Sequence, residues 1–168
     1  EHLFAYIKKS GSAAYFQEKT MNEQHDFSTA DLIDIAPDTP SCETQFHRFG
    51  RHRHFCGKIR TVKCARDNGL VKTLMNSHSE GEVLVVDGGG SLYSALMGDL
   101  IAGAGAANGW AGAVINGAIR DSEAINTIPF GVKALGTNPR KSAKAGAGEV
   151  DITVSFGGVD FIPGHYLY

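Results

Sequence analysis

The segment Val83-Leu-Val-Val-Asp-Gly-Gly-Gly90 sets the tightest limit on what this chain can fold into. Four consecutive aliphatic residues leave no polar face for water, so the run must be covered on both sides. Asp87 and three glycines then stop it abruptly. A short run ended in this way reads as a buried parallel strand entering a helix, and parallel strands call for an alternating order of strands and helices.

The alternation can be followed in both directions. Residues 67–75, 91–97 and 99–108 read as helices, residues 113–116 as a strand, and a short helical turn is expected after Asp121. Apolar stretches at 130–135, 150–156 and 159–162 read as further strands. Upstream, Ser28 is a capping residue for a brief helix over residues 28–34, ended by Pro37 and Pro40. Between residues 51 and 63, Phe55, Ile59 and Val62 are set among Arg53, Lys58 and Arg60, the pattern of strands exposed on one side. The expected architecture is a layered α/β domain with a strand-rich C-terminal half.

Composition bounds the function. A chain of 168 residues, 42% hydrophobic and 20% charged, suits one ordinary core. Its net charge of -2 and pI near 6.4 give no electrostatic case for direct nucleic-acid binding, and no long apolar span argues for a membrane. Cys42, Cys56 and Cys64 are odd in number and lack Cys-x-x-Cys spacing, so a reducing, cytoplasmic setting is expected rather than a disulfide framework. Residues 1–20 precede Met21 and contain Tyr15-Phe-Gln17, which reads as a vector-derived or leader extension, leaving residues 21–168 as a single domain.

Three constellations could carry chemistry. The glycine turn at 88–90 could cradle an anion with its backbone amides, but it lacks both Gly-x-Gly-x-x-Gly spacing and the lysine of a phosphate-binding loop, so a tight turn is the simpler reading. His52, His54 and Cys56 alternate and would share one strand face, a weak zinc signal beside Arg48, Arg51, Arg53, Lys58 and Arg60, which read more simply as a solvated basic face. The third is Asp99 with Arg120-Asp121 in Gly117-Ala-Ile-Arg-Asp121. A guanidinium beside a carboxylate past a strand end offers an anion clamp and a hard-metal ligand together, and its plain alternative is a surface salt bridge.

Blocks along the chain decide how that third constellation is taken. Ile59-Arg-Thr-Val-Lys-Cys64, Asp67-Asn-Gly-Leu70, Val83-Leu-Val-Val-Asp-Gly-Gly-Gly-Ser91, Gly98-Asp-Leu100, Gly117-Ala-Ile-Arg-Asp121, Ala134-Leu-Gly-Thr-Asn-Pro139 and Pro163-Gly-His-Tyr-Leu-Tyr168 resemble the RraA-like family over residues 27–168. That family holds both ribonuclease-activity regulators and metal-dependent 4-hydroxy-4-methyl-2-oxoglutarate aldolases. The resemblance implies a swivelling α/β/α-type fold and a homotrimer, in some members stacked as a hexamer. It also implies the aldolase-type pattern of an aspartate, twenty residues and Arg-Asp, which Asp99, Arg120 and Asp121 match position by position.

By carry-over, Asp121 would bind Mg²⁺ or Mn²⁺, Asp99 would reach the metal through a water, and Arg120 would grip the carboxylate of a 2-keto acid with help from the backbone of Gly98, Leu100 and Ile101. The implied activity is cleavage of 2-keto acids to pyruvate, by retro-aldol reaction or by decarboxylation of oxaloacetate. The alternative within the family is a regulator that binds a ribonuclease or an RNA helicase without catalysis. A methyltransferase label carried by some relatives has no matching adenosylmethionine loop here. The chain departs from the family at residues 52–54, and relatives continue beyond the equivalent of Tyr168, so a C-terminal shortening is expected.

Overall fold

A computed structural model of the chain describes residues 28–168, and the extension expected at residues 1–20 lies outside them. The elements in chain order are α1 (Thr29–Ile35), β1 (His47–Phe49), β2 (Gly57–Lys63), α2 (Gly69–Met75), β3 (Val83–Asp87), β4 (Ala95–Met97), α3 (Asp99–Ala107) and β5 (Gly112–Ile119). They continue with α4 (Ser122–Ile125), β6 (Gly131–Thr137), β7 (Glu149–Val150), β8 (Val154–Phe156), β9 (Val159–Phe161) and β10 (Tyr166–Leu167). The α/β class and the strand-rich C-terminal half agree with the sequence reading.

The main sheet runs β1-β6-β5-β3-β2-β10, with β4 beside β5 and β7 beside β2. Its centre is parallel: β2 pairs β3, β3 pairs β5 and β5 pairs β6, while β1, β7 and β10 join antiparallel. The 83–86 run explains why. Leu84 and Val86 face the cluster that holds Val71 and Met75 of α2, Ile101 and Ala102 of α3 and Ile125 of α4. Val83 and Val85 face the opposite cluster, where Val154, Val159 and Phe161 of the β8–β9 ribbon lie. All four are fully buried, and each stabilises the fold by about 1.5–3 kcal/mol relative to exposure. By contrast α1, capped by Ser28, buries none of its residues.

Two expectations fail, each for a packing reason. Residues 91–97 are not helical; their second half is β4, which lies parallel to β5 with Ala95 opposite Ala118 and Met97 opposite Ile119. Strand β3 flanks the first half of β5, from Gly112 to Asn116, and ends at Asp87, so β4 fills the vacated place beside the second half. A free sheet edge outweighed a weak helical pattern. Residues 51–56 are not a strand either, because Phe55 lies flat across β5 and β6. A Cβ on Gly112 would come within 2.5 Å of its ring, and one on Gly131 would strike the same ring. His52 and His54 are therefore exposed on an irregular crossing segment rather than aligned with Cys56 on a strand.

Candidate active site

Register builds the site. With Met97 opposite Ile119, the residues that follow the two strands must meet, so Gly98 and Asp99 come against Arg120 and Asp121. The Arg120 amide donates to the Met97 carbonyl at 2.9 Å, which locks the two strand ends together. Gly98 lets the two ends approach closely at this crossing: a Cβ there would lie 2.8 Å from Asp121 Oδ2 and 3.2 Å from Arg120 Cγ, so the ion pair would have to shift. Asp121 itself takes a left-handed conformation, φ 55°, ψ 38°, at the start of α4. Aspartate tolerates this region better than most side chains, and such backbone is held where the surroundings over-determine it.

Arg120 Nε donates to Asp121 Oδ2 at 2.9 Å, and its Nη1 makes a longer contact of 3.4 Å to the Pro139 carbonyl. Nη2 has no protein partner among the described residues and is available to a ligand. The bond from Arg120 holds the Asp121 carboxyl below the ordinary carboxylate range; partial burial opposes this, and the charge of Arg120 and hydrogen bonding with Asp99, including its backbone amide, add to the lowering. Asp121 is thus an ionised hard-oxygen donor at neutral pH. At the start of α3, the Ile101 and Ala102 amides both turn to the Gly98 carbonyl, at 3.2 and 3.0 Å. Of the backbone expected to hold a substrate, the Ile101 amide is already engaged, and the Leu100 amide is the one left in the first turn, where no intrahelical acceptor exists.

These residues share a cleft of about 220 Å³ lined by Gly98, Asp99, Leu100, Ile101, Arg120 and Asp121 together with Asn68, Lys72, Lys141 and Lys144. This is small beside pockets for drug-sized ligands and suits a compact one. The three lysines were not singled out in the sequence. They come from α2 and from the segment after β6, far apart in the chain, and have no carboxylate partner among the described residues. Four cationic side chains against two carboxylates make a lining that attracts anions.

Asp99 and Asp121 supply two hard donors, and no group of three or more His, Cys, Asp or Glu side chains gathers among the described residues. This donor set fits Mg²⁺ or Mn²⁺, which is often held by one or two carboxylates and keeps several waters. It does not fit zinc, which calls for three or four protein ligands, and the His52, His54 and Cys56 grouping is not assembled. The glycine turn at 88–90 is closed on itself: the Gly88 and Gly90 amides donate to the Asn116 carbonyl at 3.0 and 3.2 Å, and the Gly89 amide to Asp87 Oδ1 at 2.9 Å. No helix follows it, and its amides are not free for an anion.

The family model described as RraA-like, Aldolase/RraA, matches residues 29–168. The chain belongs to the RraA-like family. Among solved structures, an S-adenosylmethionine: 2-dimethylmenaquinone methyltransferase from Geobacillus kaustophilus is 45% identical, over 83% of this chain and 88% of that one, with a TM-score of 0.82. The RNA-processing inhibitor RraA from Thermus thermophilis is 41% identical, over 85% and 88%, also with a TM-score of 0.82. An RNase ES inhibitor family member from Streptomyces coelicolor, 21% identical over 96% and 81% with a TM-score of 0.69, shares the fold. Within the family, then, relatives carry both enzyme and regulator names. No helix among the described residues is long and apolar enough to cross a membrane.

Proposed function

We propose that this RraA-like protein is a divalent-metal-dependent lyase that cleaves a small 2-keto dicarboxylic acid to pyruvate. The observation that carries the reading is the meeting of Asp99, Arg120 and ionised Asp121 in one cleft that Lys72, Lys141 and Lys144 also line. Asp121, with Asp99 acting through water, would hold Mg²⁺ or Mn²⁺. When bound there, the cation supplies Lewis-acid stabilisation of the negative charge that develops on the keto oxygen.

The chain's own groups do the rest. Arg120 Nη2 pairs with the carboxylate next to the keto group, and the Leu100 amide gives that end a second donor. Lys72, Lys141 and Lys144 receive the distal carboxylate. In decarboxylation of oxaloacetate the C3–C4 bond breaks, its electron pair passes toward the C2 oxygen, carbon dioxide leaves, and C3 takes up a proton. In retro-aldol cleavage of 4-hydroxy-4-methyl-2-oxoglutarate the C4 hydroxyl first gives up its proton, and the same enolate of pyruvate results with a second pyruvate as product. Asp99, which lines the cleft with Asp121, would hold or move these protons. Arg120 strengthens its pair as charge develops.

The test is pyruvate formation from both acids with Mg²⁺, Mn²⁺ and chelator. Turnover that depends on metal, and that falls by about 10²-fold or more in Asp121→Ala, supports the reading. Absence of metal-dependent turnover removes it. The second reading is favoured by the 41% identical Thermus protein that is named an RNA-processing inhibitor. In that reading the protein, as a trimer or hexamer, binds a ribonuclease or an RNA helicase, and Asp121→Ala leaves the complex intact. The methyltransferase name of the Geobacillus protein finds no support in the glycine turn at 88–90, whose amides are taken up by the Asn116 carbonyl and Asp87.

A further inference from the structure

We infer that Asp67 is a positioning residue for this site, and that its buried carboxylate clamps the strap of residues 143–146 so that Lys144 is held on the cleft wall. The inference rests on the lyase reading for its kinetic consequence and on geometry for the clamp itself. Asp67 is 3% exposed and is not in the lining of the cleft. Its Oδ1 accepts from the Gly69 amide at 2.8 Å and the Gly146 amide at 3.1 Å, and its Oδ2 accepts from the Ala145 amide at 2.8 Å. One carboxylate thus ties the first turn of α2 to the strap.

The strap has little else to hold it there. Ala143, Lys144 and Ala145 are exposed and the run 143–148, Ala-Lys-Ala-Gly-Ala-Gly, has no large apolar side chain to anchor it. Its earlier part is fixed separately, by the Ser94–Ser142 hydroxyl pair at 2.8 Å and the bridge between Ala95 and Lys141. Past that point the anchors are the bridge of Asp67 to Ala143, in which the Asn68 amide donates to the Ala143 carbonyl and the Ala143 amide to the Arg66 carbonyl, both at 2.9 Å, then the carboxylate, and after it β7 on β2. Close approach is built in, since a Cβ on Gly69 would lie 2.5 Å from the Gly146 nitrogen. The geometry also explains why a charge is tolerated in a buried place: the Gly69, Ala145 and Gly146 amides all donate to it, so the anion is solvated by backbone instead of water.

Loss of the clamp frees Lys144 but leaves Arg120, Asp99 and Asp121 in place, so it weakens capture of the distal carboxylate more than the bond-breaking step. The test uses the full chain with Mg²⁺ and oxaloacetate, and compares wild type, Asp67→Asn, Asp67→Ala, Lys144→Ala and the double variant Asp67→Asn/Lys144→Ala. Asparagine keeps the shape but turns an amide donor toward one of the strap's own donors, so it breaks the clamp without leaving a void. The expected result is a KM raised about tenfold in Asp67→Asn with kcat within about threefold, and a double variant no worse than Lys144→Ala alone, because residues in one network are not additive.

Amide hydrogen exchange at Ala145 and Gly146, and at Gly69 in the first turn of α2, should quicken in both Asp67 variants, with the rest of α2 and β5 unchanged. Additive losses, a fall in kcat at constant KM, or unchanged exchange at Ala145 and Gly146 would overturn the inference. If the wild type has no turnover, the lyase reading has failed, and the exchange measurement still decides the clamp: faster exchange upholds it and unchanged exchange rejects it. If Asp67→Ala does not fold, Asp67→Asn carries the whole comparison.

Discussion

Two glycine turns in this protein, at residues 88–90 and at 98–100, begin alike and end differently. Each follows a strand that lies beside β5, and each has an aspartate next to a glycine. In the first, Asp87 and the Asn116 carbonyl take up the amides of Gly88, Gly89 and Gly90, and the Asn116 side chain donates to Asp87 at 2.9 Å. In the second, the Ile101 and Ala102 amides turn to the Gly98 carbonyl, the Leu100 amide has no partner among the described residues, and the Arg120 guanidinium lines the same cleft. Richness in glycine does not make a ligand site. What decides is whether the turn spends its donors on itself, and a neighbouring Asp or Asn at the right offset is enough to do so.

The sharpest way to break this comparison is to fill each turn in its own manner. Gly98→Ala sets a methyl 2.8 Å from Asp121 Oδ2, so the ion pair must shift. A displacement of about 1 Å in such a site can cost about 10²-fold in turnover, and a steady-state assay with oxaloacetate should show it with little change in melting temperature. Unchanged activity would mean that Arg120 and Asp121 are not held in a working geometry by this crossing. Asp87→Ala is the counterpart in the closed turn. It leaves the Gly89 amide and the Asn116 side chain without their acceptor, which costs about 1–3 kcal/mol in chemical denaturation, while metal-dependent turnover stays near wild type. If turnover falls with stability, the two turns are not independent.

The smallest expected effect concerns acid. The folded value of the Asp121 carboxyl lies below its unfolded value of about 3.9, so its stabilisation is complete above that pH and is lost as pH falls through the folded value. Thermal unfolding of wild type and Asp121→Asn should therefore differ slightly at neutral pH and converge below about pH 4. The difference is small because the pair with Arg120 is about one third exposed and screened. A gap that stays constant into strong acid would show that the ion pair contributes nothing to it.

Much of this was legible in the sequence, for physical reasons that differ by element. Strand β3 could be read because burial on both faces leaves an unbroken aliphatic run, and α3 because residues 99–108 continue to a clear end at Asn108 and Gly109. The Asp99 and Arg120-Asp121 grouping was legible through the resemblance to the RraA-like pattern, its spacing alone leaving a surface salt bridge open, and the Met97–Ile119 register brings the three residues together. Strand β4 was not legible, since the place it fills exists only after β3 leaves β5 halfway. Nor were Lys72, Lys141 and Lys144, which reach the cleft from two distant segments, or the tie that Asp67 makes behind them to Ala145, since no local pattern joins these residues. The histidines at 52 and 54 misled because period-two spacing cannot reveal that Phe55 lies across the sheet instead of along an edge.

That ring has a consequence for inheritance. Phe55, Gly112 and Gly131 sit on three separated stretches of chain, yet they form a key and its notch. A larger residue at either glycine strikes the ring, and a smaller one at position 55 opens a void over two bare backbones. The three positions can therefore drift only as a set, so recombination between relatives with a crossover between 56 and 112 succeeds only where both parents carry the same solution.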